Sequence, residues 1–157
     1  MATINAAISV TSDVTGYGTT INNSMTMTKA GTIAGLDQAT GLVRKTLTSI
    51  DEVDLLTVGA GVVADVAVDT FSSKLYIKNV NSDSSEYFTV GLGASSTSST
   101  KQAFSVVADA TRSVEIGRLY AGDFMIIPWD AASDENDIFV KPSVATTTTI
   151  EYQVFYV

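Results

Sequence analysis

Asp130, Asp134, Glu135 and Asp137 crowd four carboxylates into the stretch WDAASDEND. A hard cation such as calcium takes several oxygen ligands, so clustered acids are where such a site would form. The spacing does not follow an EF-hand loop and lacks its central glycine, which leaves solvated turn carboxylates as the other reading. Paired carboxylates are also enough for glycoside hydrolysis. Glu86 beside Tyr87, or Glu115, could be nominated for that role only arbitrarily, because no acid pair is flanked by the aromatic clusters of sugar subsites. The chain contains no histidine and no cysteine. That removes the commonest general base, the commonest transition-metal ligand, thiol nucleophiles, zinc thiolates and disulfides. A Ser-His-Asp triad cannot be assembled. The expectation is a chain that is not an enzyme, with no catalytic, cofactor-binding or metal-binding residues.

The stretch just before the acids, RLYAGDFMIIPW, places Gly122 and Pro128 with the spacing that opens the second metal-binding motif of cupins. The glycine and histidine that should follow are missing, since Trp129 and Asp130 lead straight into the acidic turn. Without imidazole the usual cupin metal site cannot be built. The geometry that survives is a strand approached through Gly-Asp and left through Pro, which suits a jelly-roll edge or strand end.

With 157 residues, 45% of them hydrophobic, the chain is expected to be one domain with a sizeable core. No apolar run approaches bilayer-spanning length, and MATINAAISVTSD lacks the basic and apolar regions of a secretory signal. Nine basic residues face 17 acidic ones, a formal charge of −8. Only Arg44 and Lys45 are adjacent, so no phosphate-neutralising patch is visible. Neither nucleic acid nor membrane is an expected partner.

The recurring pattern has period two, that of a strand with one face in a core. Ile4, Ala6, Ile8 and Val10 alternate with polar and small residues, as do Ile21, Met25 and Met27. At the far end Ile150, Tyr152, Val154 and Tyr156 share one face, with Glu151 and Gln153 on the other. Further strands are expected at 42–48, 62–68, 74–80, 86–92, 103–107, 113–120, 123–128 and 137–141, separated by Asp, Asn, Ser and Gly turns. KNVNSDSSEY is expected to close a hairpin between 74–80 and 86–92. In SIDEVDLL, Ser49 and Glu52 have capping-box spacing, so a short helix and an acidic loop both stand as readings. This is an all-β pattern, an antiparallel sandwich or jelly roll. The single domain spans 1–157: residues 1–48 form an N-terminal arm or outer sheet, and 49–157 a jelly-roll-like core.

Most of the late aromatics, among them Tyr76, Tyr87, Phe88, Tyr120, Phe124, Phe139 and Tyr152, fall on inferred core faces. Trp129, after Pro128 at a strand end, is either a surface anchor or a lid packed over the end of the sandwich. GAGVVAD, 59–65, lacks the Lys-Ser/Thr ending of a phosphate loop.

A Thr-rich, acidic, His-free and Cys-free all-β chain resembles the small virion structural proteins of tailed bacteriophages, especially marine and cyanobacterial phages. The pieces that carry the resemblance are TMTKAGTIAGLDQATGL (26–42), KLYIKNVNSDSSEYFTVGLG (74–93), IGRLYAGDFMIIPW (116–129) and NDIFVKPSVATTTTIEYQVF (136–155). The resemblance implies a capsid decoration, or cement, protein. Such a protein is assembled in the host cytoplasm, sits on the outer capsid surface, binds the major capsid protein and forms a homo-oligomer, with a trimer favoured. Repulsion from packaged DNA fits an outer position for an acidic chain. The N-terminal strands around 3–10 and 19–28 are then expected to reach a neighbour, or to be ordinary strands of the same sandwich. A tail, baseplate or fibre component and a carbohydrate- or receptor-binding module are the alternatives.

Overall fold

The computed structural model describes residues 3–12, 20–28, 35–36, 38–56, 72–93, 114–130 and 137–156. Among them every regular element is a strand. The chain runs β1 (Asn5–Thr11), β2 (Thr20–Thr26), β3 (Gln38–Ala39), β4 (Val43–Leu47), β5 (Val53–Leu56) and β6 (Ser72–Asn79). It continues through β7 (Tyr87–Leu92), β8 (Val114–Tyr120), β9 (Phe124–Asp130), β10 (Ile138–Pro142) and β11 (Thr148–Tyr156). The expected strands at 62–68 and 103–107 lie outside the described residues.

All pairings are antiparallel, and they nest. β7 pairs with β8, β6 with β9, β5 with β10 and β4 with β11. Two further pairings, β10 with β7 and β11 with β6, gather these strands into two sheets. One sheet has the order β5-β10-β7-β8; the other runs β11-β6-β9, with β3 and β4 both flanking β11. Of the seven connections from β4 to β11, only that between β7 and β8 stays within a sheet.

Period two decides what each strand buries. On β6, Leu75, Ile77 and Asn79 point inward while Lys74, Tyr76 and Lys78 do not. On β11, Ile150, Tyr152 and Val154 meet them. The opposing sheet supplies Phe88, Val90, Leu119, Ile138 and Val140 to the same hydrophobic cluster. One apolar core between two antiparallel sheets makes the architecture β-sandwich-like.

Several expectations are corrected. Residues 74–80 and 86–92 do not form a hairpin, because β6 and β7 belong to different sheets and the turn between them changes layer. Asn79 makes that corner possible. Its Nδ2 donates to the carbonyl oxygens of Leu119 (3.0 Å) and Glu86 (3.4 Å), and its Oδ1 accepts from Asn81 N (3.0 Å). SIDEVDLL is neither helix nor simple loop. Residues 49–51 bend, Ser49 Oγ accepts from Asp51 N, and Val53–Leu56 is β5, paired with β10. Burial of Leu55 and Leu56 in the sandwich outweighs the local capping signal. The late aromatics are also fewer in the core than expected. Phe88, Trp129, Phe139 and Tyr152 are buried, whereas Tyr120 and Phe124 are exposed.

A further correction concerns β1 and β2. Among the described residues they pair only with each other, over their full length, and neither makes substantial contact with any other strand. The expected apolar face is present, but it is not in the core. Ile8, Val10, Ile21 and Met25 are each about half exposed, at 46, 51, 53 and 51%. The opposite face is polar and internally bonded: Ser9 donates to Asn22 (2.6 Å), and Thr26 to Asn5 (2.9 Å). The hairpin is anchored at its base, where Met27 N bonds Ile4 O, Leu36 N bonds Met27 O and Ile4 N bonds Leu36 O. Met27 and Leu36 are buried there.

Candidate interaction surface

The outer face of the β4-β11-β6-β9 layer carries a polar cluster that strand register alone brings together. Arg44 of β4 lies opposite Glu151 of β11, which lies opposite Lys78 of β6, which lies opposite Phe124 of β9. Arg44 Nε donates to Glu151 Oε2 at 2.8 Å. The Glu151 side chain is only 8% exposed beneath an Arg44 side chain that is 68% exposed, so the arginine caps the carboxylate. Tyr76 OH makes a long contact, 3.5 Å, with the other carboxylate oxygen. Burial, then the nearby Glu151 charge and hydrogen bond, push the Tyr76 phenol above its ordinary pKa.

Around this cluster the face is apolar. The Tyr76 and Phe124 rings tilt against each other with centroids 6.3 Å apart. Ile126, opposite Tyr76, and Pro128, opposite Lys74, continue the stripe along β9. Phe124 is 55% exposed and Ile126 37%. Among the described residues β9 pairs on one side only, so Pro128 withholds no donor that a ladder needs. Gly122, at φ +86°, makes the turn into β9, with its N bonded to Asn79 O.

The other sheet's outer face is also cationic and aromatic. Arg118 sits over the Tyr87 ring, 4.7 Å from its centroid, and Tyr87 packs against Tyr120 at 5.2 Å. Most described acids, by contrast, occupy connections: Asp51, Glu52, Asp83, Glu86, Asp123 and Asp137. Asp83 is typical, with its carboxylate accepting from Ser85 Oγ (2.7 Å) and N (2.9 Å), bonds that hold its pKa below the usual value.

The residues singled out for chemistry are not brought together. Trp129 is 2% exposed in the core, which rules out the surface anchor. Asp130 ends β9 and Asp137 precedes β10, while Asp134 and Glu135 lie outside the described residues, as does 59–65. No three His, Cys, Asp or Glu among the described residues are placed to hold a metal ion. Glu86 accepts from Thr146 (3.1 Å) in its corner, and Glu115 is exposed on β8. The depression on the hairpin, about 280 Å³ and lined by Ala7, Ile8, Ser9, Asn22, Asn23 and Ser24, is shallow and open. No described helix is long and apolar enough to cross a membrane. The sequence reading missed the Arg44–Glu151–Tyr76 cluster, because its members are far apart in the chain and only the β4–β11–β6 register joins them. The chain matches no family model and no curated protein sequence.

Proposed function

We propose that this chain is a non-enzymatic structural protein of a tailed bacteriophage particle, a jelly-roll protein that decorates the outer capsid surface. The observation that carries the reading is the nested pairing order. A ribbon of four strand pairs, folded at the β7–β8 connection and wrapped so that successive pairs alternate between sheets, supports a jelly-roll winding. Viral capsid and lectin domains use that winding, and it needs no catalytic centre. Burial of Trp129 counts against the sugar-binding member of that pair only in removing that residue as a surface anchor. The distribution of charge supports a docking role: most described acids lie in the connections, whereas Arg44, Lys74, Lys78 and Arg118 lie with aromatics on outward strand faces.

On this reading the partners are the major capsid protein and further copies of the chain, with a trimer favoured. Selective dissociation of purified particles tests it. The chain should leave the heads in mild denaturant while tails stay attached. Copurification with detached tails alone would overturn the decoration role and favour a tail, baseplate or fibre component.

A further inference from the structure

We infer that the β1–β2 hairpin is an intermolecular arm whose apolar face docks on the Tyr76, Phe124 and Ile126 surface of a second copy of this chain. This deepens the assembly part of the proposed function by naming the self-contact. A lone two-stranded hairpin is marginal in water and needs cover on an apolar face. Here the faces divide: Ala6, Ile8, Val10, Ile21 and Met25 share one side, interrupted only by Asn23 opposite Ile8, and the hydrogen-bonded Ser9, Asn22, Thr26 and Asn5 share the other. Among the described strands, none from the chain's own sandwich makes substantial contact with the hairpin.

Charge selects the occupant. The described hairpin residues carry no charge, whereas the whole chain is at −8, so two copies repel everywhere except at neutral or cationic surfaces. The receiving face is cationic. Arg44, Lys74 and Lys78 less Glu151 and Asp130 leave it at +1 (3 − 2), facing a copy that is net acidic. Its centre, Phe124 and Ile126, is an exposed apolar stripe on β9, which ends a sheet; β8, which ends the other, exposes Ile116 and Tyr120 but also the acid Glu115. Seven residues of strand reach about 23 Å, enough to leave one sandwich and lie across the next. One arm and one receiving face per chain make the contact heterologous, and such contacts form rings when the rotation closes and filaments when it does not.

Because the chain lacks cysteine, single engineered thiols report the contact cleanly. Val10→Cys and Ile126→Cys proteins, mixed and mildly oxidised, should give the mixed disulfide dimer as the main product, and neither should crosslink efficiently alone. Light scattering should show an oligomer for the unmodified chain. Ile8→Asp with Ile21→Asp should shift it to monomer mass with an unchanged far-ultraviolet circular dichroism spectrum, since neither residue is in the core. A monomer at all concentrations overturns the inference. So does dominant Val10→Cys self-crosslinking, or an intramolecular disulfide in a monomeric double variant. The two readings fail separately: a mixed crosslink with no binding to capsids supports the arm and overturns the decoration role. Capsid binding by an unmodified monomer does the reverse.

Discussion

Asn79 is fully buried at the point where the chain changes sheets, and its amide serves three partners. Replacing it with Ala leaves Leu119 O and Asn81 N without that amide, so the cost should be about 2–4 kcal/mol, read from the urea midpoint. Arg44→Ala uncovers Glu151 but removes a largely exposed partner, so solvent screening keeps the loss to about 1 kcal/mol, shrinking with added salt. The tyrosines set the alkaline limit. Burial raises the Tyr152 pKa, and burial with Glu151 raises that of Tyr76, so the folded chain holds both protons more tightly than the unfolded chain. That contribution is whole below about pH 10 and is lost as the pH climbs past it. Tyr152→Phe should therefore show a shallower fall in urea midpoint above that pH than the unmodified chain, and an equal fall would refute the assignment.

At the level of the strand, two substitutions of apolar residues should behave oppositely. Trp129→Ala empties a site in the core and should cost about 3–5 kcal/mol, whereas Val10→Ser on the exposed hairpin should change the stability of a monomer by under about 0.5 kcal/mol. Thermal or urea unfolding at concentrations where the chain is monomeric separates them. The same pair shows what could be read from the residues. Alternation and turn residues located β1, β2, β4 and β6 to β11 to within a few positions, and alternation gave the apolar faces of β1, β2 and β11. It could not say that the Ile8 and Val10 face is bare, because period two reports that a face is apolar, not what covers it. Nor could it say that β6 and β7 are in different layers. A turn rich in Asn, Asp and Ser serves a hairpin or a corner equally, and long-range pairing to β9, β10 and β11 decides. Strand β5 was hidden for a related reason: four residues are too few for a period, and Ser49 with Glu52 sent a helical signal that sheet pairing overrode.

Across the whole molecule, charge and hydrophobicity are sorted by position. Among the described residues most acids sit in connections, cations and aromatics lie on outward strand faces, and the two hairpin strands carry no charge. A chain at −8 stays apart from its copies and from nucleic acid until those faces meet, so association should depend on ionic strength. Raising salt should weaken contacts made through Lys74 and Lys78 and leave the apolar hairpin contact in place. The most direct test of the account is a cryo-electron microscopy reconstruction of particles that carry this chain. The account predicts sandwich-shaped density on the outside of the head, in clusters whose copies are joined by a hairpin laid over a neighbour's β6–β9 face. Density confined to the tail, or lining the inside of the shell against the packaged DNA, would contradict it.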